Sequence, residues 1–298
     1  MAKIVECIPN FSVARDHAAL DELQTVAKSV PGVTLLDCAP DESHNRTVLT
    51  LVGDPDGIKA VAIKLAVFAA RKIDLTTHTG EHPRMGAIDV CPFVPLMGVT
   101  MEECVTISKE VGAAIAAEAG VPVFLYEESA SAEGRRNLAA IRKGEFEGMA
   151  EKMRQPQWQP DFGPTQPHPT AGVVAVGARM PLVAFNVNLS TSDINIANNI
   201  AKVVRGSSGG FKYCKAIGVM LEGRNIAQVS MNMVNYEGTP IYRVVEAIRT
   251  EAKRYGVSIV GTELIGLTPA KALVDCAEYY LQIENFDYGK QVLENHLL

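Results

Sequence analysis

The densest cluster of reactive side chains lies between His78 and Asp89, where the sequence reads HTGEHPRMGAID. This segment holds two of the six histidines, two acidic residues and one arginine. Histidine transfers protons near neutral pH, and a neighbouring Glu81 or Asp89 can orient its ring, while Arg84 can bind a substrate carboxylate as a bidentate partner. These residue types together predict a loop that performs an acyl-type transfer.

The spacing of this loop allows two other interpretations. His78 and His82 have the HxxxH spacing of zinc ligands on a helix, but Gly80 and Pro83 disfavour that helix, so we expect no metal. A purely structural loop stays open as an alternative, because acidic residues in loops often only cap turns.

Composition narrows the class of protein. The 28 lysines and arginines against 34 acidic residues give a net charge of −6, and without a basic run we expect no nucleic-acid partner. The longest apolar stretches are interrupted by charged residues or proline, so we expect no membrane span. The six cysteines lie far apart without a CxxC pair, and the start of the chain has no recognisable secretory signal. We therefore expect a cytoplasmic protein with reduced cysteines.

The elements that must position the loop occur in a repeated order. The predicted strands of the second half are 182–189, 215–221, 227–233 and 257–260, and its helices are 192–205 and 239–252. The predicted strands of the first half are 3–8, 33–36, 47–52 and 91–96, and its helices are 16–30 and 55–72. Both halves thus show the βαββαβ order of the ferredoxin-like fold.

The first half is longer than one such unit. A helix that opens with the capping-box pattern of Thr100 and Glu103, a strand at 122–126 and helical segments within 133–153 extend it. We predict an α+β protein with two ferredoxin-like subdomains, residues 1–178 and 179–298, each a sheet covered by helices. The segment 155–170 contains five prolines and the single tryptophan, and we expect it to be an ordered crossing between the two sheets. Disorder is the alternative.

Several stretches resemble one known family. They are VECIPNFS from Val5, NRT from Asn45, the His82 loop, PVFLY from Pro122, DFGP from Asp161, GAR from Gly177, LVAFNVNL from Leu182 and GTELIGL from Gly261. Together they cover nearly the whole chain, which is similar to the formiminotransferase family.

The resemblance implies an activity, partners and a site. It implies transfer of a formimidoyl group from N-formimidoyl-L-glutamate to N5 of tetrahydrofolate in histidine degradation, by a homodimer of chains with two α/β subdomains. Tetrahydrofolate is then a co-substrate. In animals the domain is fused to a cyclodeaminase, so ring closure here would belong to another protein. The family's catalytic histidine falls on His82, with Glu81 or Asp89 as its partner.

The resemblance also assigns binding residues. Its folate-binding segment falls on Gly163, Pro164, Thr165, Gln166, Pro167, His168, Pro169, Thr170, Ala171 and Gly172. This segment keeps the glycine and proline frame of the animal sequences but differs in its side chains. Animal members carry an acidic residue at the position of Ala39, and we expect Asp41 to take that role.

Other polar residues are candidates for contacts with the pterin or with carboxylates. They are Asn10, Asn45, Arg46, Arg84, Asn186 and Asn188. The alternative for the asparagines is that they bind turns or strand ends. Two alternatives for the function remain: formyl transfer from 5-formyltetrahydrofolate to glutamate, and a folate-binding module without catalysis.

Overall fold

The computed structural model describes residues 3–296 and contains two sheets. The chain divides into two compact units, one that ends at Arg179 and one that begins at Met180. The prediction of a mixed α+β protein with two sheets is confirmed. No helix within residues 3–296 is long and apolar enough to cross a membrane.

The first unit contains a seven-stranded sheet. Its strands are β1 (Ile4–Cys7), β2 (Asn10–Phe11), β3 (Val33–Asp41), β4 (Arg46–Gly53), β5 (Ile88–Met97), β6 (Val123–Glu127) and β7 (Val174–Ala178). Strands β1 and β2 both pair with β4 and β5, and Pro9, which has no N–H for the ladder, lies between them. The sheet order is therefore β3, β4, β1 with β2, β5, β7 and β6.

Strand β7 was not predicted, and it corrects the expected role of the proline-rich segment. β7 is parallel to both β5 and β6, so the chain must cross from the end of β6 back to the start of β7. Residues 155–170 belong to this crossing inside the first unit and do not join the two sheets. The segment is ordered, because Arg135 donates to the carbonyls of Gln157 and Gln159 at 2.8 and 2.6 Å.

Helices cover both faces of this sheet. They are α1 (His17–Ala27), α2 (Pro55–Lys72), α3 (Met101–Ala119), α4 (Leu138–Arg142) and α5 (Glu145–Lys152), with 3-10 turns at Glu133–Arg135 and Pro156–Trp158. The predicted capping box is confirmed, since Thr100 and Glu103 bind each other's backbone N–H groups at the start of α3. Helices α1 to α3 share one hydrophobic core with the sheet, while Ile141 of α4 and Met149 of α5 pack into another with Val90 and Ala175.

The second unit is a four-stranded antiparallel sheet in the order β11, β8, β10, β9. Its strands are β8 (Val183–Leu189), β9 (Cys214–Leu221), β10 (Ile226–Met233) and β11 (Ile259–Ile265). Its helices are α6 (Ile194–Val204), α7 (Ile241–Arg254), α8 (Ala270–Leu281) and α9 (Tyr288–Gln291), with 3-10 turns at Gly206–Ser208, Glu222–Arg224 and Leu293–His296. Val244, Ile248 and Ala252 follow the helical period and are buried against the sheet, as their spacing predicted. Helix α8 was not predicted.

Candidate active site

Asp89 lies at the centre of the candidate site in the first unit. The sequence predicted it in a loop, but β5 already begins at Ile88. The neighbouring residues Asn10 and Phe11 of β2 pair with Val90 and Ile88, so Asp89 is the additional residue of a β-bulge, an irregularity that re-aims a side chain. Its carboxylate is only 1% exposed.

Three groups surround this buried carboxylate. The backbone N–H of Met85 donates to Oδ1 at 2.9 Å, and Nη2 of Arg142 donates to Oδ2 at 2.6 Å. Nε2 of His82 lies 3.5 Å from the same Oδ2. Burial raises the pKa of Asp89, but His82, Arg142 and the Met85 N–H together lower it by more than burial raises it. The net shift of the pKa is downward, so the carboxylate is ionised near neutral pH.

His82 is the imidazole that this carboxylate faces. Its side chain is 11% exposed, and the Nε2 to Oδ2 distance of 3.5 Å is longer than an ordinary hydrogen bond. Burial lowers the pKa of His82, and the charges of Arg46 and Arg142 lower it further, while Asp89 opposes them. The imidazole is therefore neutral near pH 7 and able to accept a proton.

Glu81 was the other predicted partner of His82. The structure places it at the exposed tip of the loop, where its backbone N–H donates to the Ser43 carbonyl at 3.3 Å. The carboxylate beside His82 is that of Asp89.

Two arginines complete the cluster, and they come from distant parts of the chain. Arg46 begins β4, and Arg142 ends α4. Burial lowers the pKa of Arg46, Asp89 raises it, and Arg142 lowers it, so Arg46 lies within electrostatic range of both charges. Arg142 was not predicted from the sequence, because no spacing relates it to Asp89. The crossing between β6 and β7 returns α4 to β5.

Arg84 has partners within the protein. Its guanidinium forms a bidentate pair with Glu147 of α5, at 2.6 and 2.9 Å, and lies 3.3 Å from Glu145. The Arg84 guanidinium, which was predicted to bind a substrate carboxylate, is therefore bound by carboxylates of the protein. The hydrogen bonds that Arg84 donates to Glu147 raise the pKa of Arg84, and this pair attaches α5 to the loop.

Asn45 organises the backbone around the His82 loop. Its Oδ1 accepts from the N–H groups of Ala14 and Arg15 at 2.8 and 3.2 Å, and its Nδ2 donates to the Thr79 carbonyl at 3.0 Å. Nε2 of His78 lies 3.0 Å from the Asn45 carbonyl. Asn45 thus connects three chain segments through its own hydrogen bonds.

Two further candidates lie on either side of β4. Asp41 ends β3 opposite Arg46 in the strand register, but it is exposed, and it accepts from the backbone N–H of His44 and lies 2.7 Å from that ring. The His44 backbone bond is the main reason that its pKa is lowered. Asn10 is buried in β2, where its Nδ2 donates to the Ile8 carbonyl at 2.9 Å.

The end of the predicted folate segment meets the His82 loop. The carbonyls of Thr170 and Ala171 accept from Leu75 and Ala87 at 2.8 and 2.9 Å, and Gly172 forms a β-bridge with Gly86. Inside the segment, Nδ1 of His168 accepts from the Ala171 N–H at 3.0 Å. The first residues, from Gly163 to Gln166, are exposed. The structure therefore brings the last residues of this segment to the His82 loop, although nearly a hundred positions of the sequence separate these residues from the start of the loop.

Asn186 and Asn188 lie on β8 of the second unit. Asn188 donates to Oε1 of Glu263 at 3.0 Å, and Gln228 donates to Oδ1 of Asn188 at 2.8 Å and to Oε2 of Glu263 at 3.0 Å. The hydrogen bond from Asn188 is the main cause of the lowered pKa of Glu263, and Asn186 contributes. The two asparagines were predicted as candidate binding residues from the sequence, whereas Glu263 and Gln228 were not.

The part of the chain that the structure describes, residues 3–296, contains no group of three or more His, Cys, Asp or Glu side chains suited to hold a metal ion.

Family models match both units. Residues 4–179 match the N-terminal subdomain of the formiminotransferase domain, and residues 184–295 match the formiminotransferase domain. The chain belongs to the formiminotransferase family. This formiminotransferase is 63% identical to the glutamate formimidoyltransferase of Streptococcus pyogenes serotype M1, with both chains covered completely. It is 44% identical to the glutamate formimidoyltransferase of Thermoplasma acidophilum, with 99% of this chain and 97% of that one covered.

A longer relative matches over only part of its own length. The formiminotransferase is 45% identical to the formimidoyltransferase-cyclodeaminase of Gallus gallus over 95% of its own length, but this match covers only 53% of that protein. The similarity to full-length transferases indicates an enzyme, so a binding module without catalysis is not retained.

Proposed function

We infer that this formiminotransferase is a glutamate formimidoyltransferase, which moves the formimidoyl group from N-formimidoyl-L-glutamate to N5 of tetrahydrofolate. The products are 5-formimidoyltetrahydrofolate and L-glutamate. The observation that carries this inference is the 63% identity over the full length of a glutamate formimidoyltransferase. In the geometry, the neutral His82 beside an ionised Asp89 supports it.

The reaction requires a proton to be moved between two nitrogens. In formimidoyl transfer, the N5 amine attacks the formimidoyl carbon, and the tetrahedral adduct collapses when the carbon to α-nitrogen bond of the donor breaks. His82 accepts the proton of N5 as the new bond forms, and it donates that proton to the departing α-nitrogen. Such acid–base assistance typically contributes about 10² to 10⁴ in rate.

Asp89 acts on His82 as a positioning residue. When His82 takes up the proton, the imidazolium faces a carboxylate 3.5 Å away that is already ionised. The attraction between them stabilises the charge that develops during the reaction. Arg142 and the Met85 N–H hold Asp89 in place, so the carboxylate needs little reorganisation when the proton arrives.

The test is the substitution His82→Ala, with His17→Ala, an exposed histidine of α1, as the matched control. We expect His82→Ala to lower kcat about a hundredfold or more while tetrahydrofolate still binds, because the imidazole acts mainly in the transition state. Product formation is followed by the absorbance of 5-formimidoyltetrahydrofolate. Turnover near that of His17→Ala would reject His82 as the acid–base. A parallel assay with 5-formyltetrahydrofolate and glutamate tests the alternative formyl transfer.

Finer features of the protein belong to the same proposal. The order β8, α6, β9, β10, α7, β11, with β8 and β10 in the middle of the sheet, supports a ferredoxin-like second unit. Tetrahydrofolate as co-substrate, a boundary between residues 178 and 179, a homodimer and a cytoplasmic location also remain predictions. We also predict that residues 163–172 contact folate and that the remaining candidate residues contact the substrates.

A further inference from the structure

Two buried arginine nitrogens near His82 can each donate a hydrogen bond, and no described residue accepts it. Nε of Arg46 and Nε of Arg142 are buried and have no hydrogen-bond partner among residues 3–296. Buried N–H groups in folded proteins are nearly always satisfied, because an unpaired buried donor destabilises the fold. This pair of donors is therefore suited to an acceptor from a ligand.

The charges around these nitrogens favour an anionic acceptor. Arg46 and Arg142 are both cationic; the buried carboxylate of Asp89 is bound to Arg142 at 2.6 Å and also attracts Arg46. Asp41 also attracts Arg46, but it is exposed and bound to His44. Among residues 3–296, the two arginines thus share one buried counter-charge, and the carboxylate of a ligand would balance the second positive charge.

The chemistry of the donor identifies this carboxylate. In N-formimidoyl-L-glutamate, the nitrogen that must leave is bonded to the Cα atom that carries the α-carboxylate. Standard bond lengths put the carboxylate carbon about 2.5 Å from that nitrogen. A residue that protonates the nitrogen therefore has the α-carboxylate in its immediate surroundings. The glutamate tail of folate is separated from N5 by the aminobenzoyl group.

We propose that the Nε–H groups of Arg46 and Arg142 bind the α-carboxylate of the formimidoyl donor. The proposal rests on the proposed function and extends it to substrate specificity. Arg142 has two tasks, because its Nη2 binds Asp89 at 2.6 Å while its Nε is left for the donor. The same residue therefore couples the position of the substrate to the residue that orients His82. A donor without an α-carboxylate leaves both Nε–H groups unpaired.

The test uses Arg46→Lys and Arg142→Lys, which keep the positive charge but remove the guanidinium Nε–H. Arg136→Lys is the matched control, because Arg136 is an exposed arginine of the same unit that binds Glu128. The donors are N-formimidoyl-L-glutamate and N-formimidoyl-4-aminobutyrate, which differ only in the α-carboxylate. Binding of L-glutamate and of 4-aminobutyrate is measured in parallel by calorimetry, which requires no turnover, and circular dichroism confirms folding.

We expect Arg46→Lys to raise KM for N-formimidoyl-L-glutamate and Kd for L-glutamate about tenfold or more, as for a lost hydrogen bond to a charged group. KM for tetrahydrofolate should stay within about twofold. Preference for the glutamate donor over the 4-aminobutyrate donor should fall by the same factor. Arg142→Lys should do the same and also lower kcat through Asp89.

Three results would overturn the proposal. The first is that both variants keep the donor preference of the unmodified protein. The second is that the unmodified protein binds L-glutamate and 4-aminobutyrate equally. The third is that the variants raise only KM for tetrahydrofolate, which would assign the arginines to the folate tail. Failure of the proposed function looks different: the unmodified protein then forms no 5-formimidoyltetrahydrofolate at all, whatever the binding of L-glutamate.

Discussion

Replacing Asp89 by Asn tests whether this carboxylate both stabilises the first unit and positions His82. The side chain is 1% exposed and accepts from the Met85 N–H on one oxygen and from Arg142 on the other. Asparagine has one acceptor oxygen, so its amide NH₂ must face one of the two donors. The substitution therefore leaves a buried donor unpaired and removes the counter-charge of Arg142.

The size of the stability effect follows from these contacts. Breaking a buried ion pair by removing one partner typically costs about 3–5 kcal/mol. For a domain of this size, each kcal/mol corresponds to about 2–4 °C in Tm, so we expect Tm to fall by about 6–20 °C. Because the folded pKa of Asp89 is lowered, its contribution to stability is present above the unfolded pKa. That contribution is lost as the pH falls through the folded pKa, and the variant lacks it.

The catalytic effect has a signature that stability alone does not produce. Asp89 raises the pKa of His82 against the larger effect of burial, so its loss should lower this pKa further. The acidic limb of the pH profile of kcat/KM should then move to lower pH, because that limb reports the base in the free enzyme. We expect kcat to fall about tenfold or more, a part of the 10² to 10⁴ that a positioned acid–base contributes.

The matched control is Asp161→Asn. Asp161 is a carboxylate of the first unit whose side chain is 11% exposed, and it accepts from the Leu125 N–H at 2.8 Å and from Arg135 at 3.0 Å. Thermal unfolding is followed by circular dichroism, and steady-state kinetics are measured where both variants are folded. If Asp89→Asn matches Asp161→Asn in kcat and in its pH profile, Asp89 has only a structural role. An unchanged Tm would refute the buried ion pair.

Three further predictions concern the loop and its surroundings. In the unmodified enzyme, the lowered pKa of His82 should keep kcat/KM constant down to a pH below the ordinary pKa of imidazole. A decline in kcat/KM that already starts above that ordinary pKa would contradict a neutral His82. Gly172 has φ +66°, and a Cβ there would lie 2.2 Å from a backbone carbonyl oxygen. Gly120 has the same φ, but a Cβ there would lie in open space. In urea unfolding, Gly120→Ala should therefore lower the free energy of unfolding by about 1–2 kcal/mol, and Gly172→Ala should lower it clearly more. Arg84→Lys should leave KM for the donor near normal, because its partner Glu147 belongs to the protein; a large rise in KM would return Arg84 to substrate binding.

Local patterns were sufficient for much of the fold. The helical spacing of Val244, Ile248 and Ala252 and the capping residues of α3 were correctly interpreted, because each depends on neighbours within one or two turns. The loop from His78 to Asp89 was also recognisable, since its reactive side chains are adjacent in sequence. Strand β7 was missed, because a parallel strand is defined by partners on β5 and β6 that lie far away in the chain.

The family resemblance, the order of most elements and the segment that carries His82 could be predicted from the sequence. The choice between Glu81 and Asp89 as the partner of His82 required tertiary contacts, because Asp89 is buried at the bulge of β5 beside His82 and Glu81 is exposed. The tertiary structure also brings Arg142 to the Asp89 carboxylate, with Arg46 in electrostatic range, and pairs Arg84 with Glu147 of α5. These contacts join residues tens of positions apart, and their geometry depends on how β4, β5 and the crossing before β7 fold together.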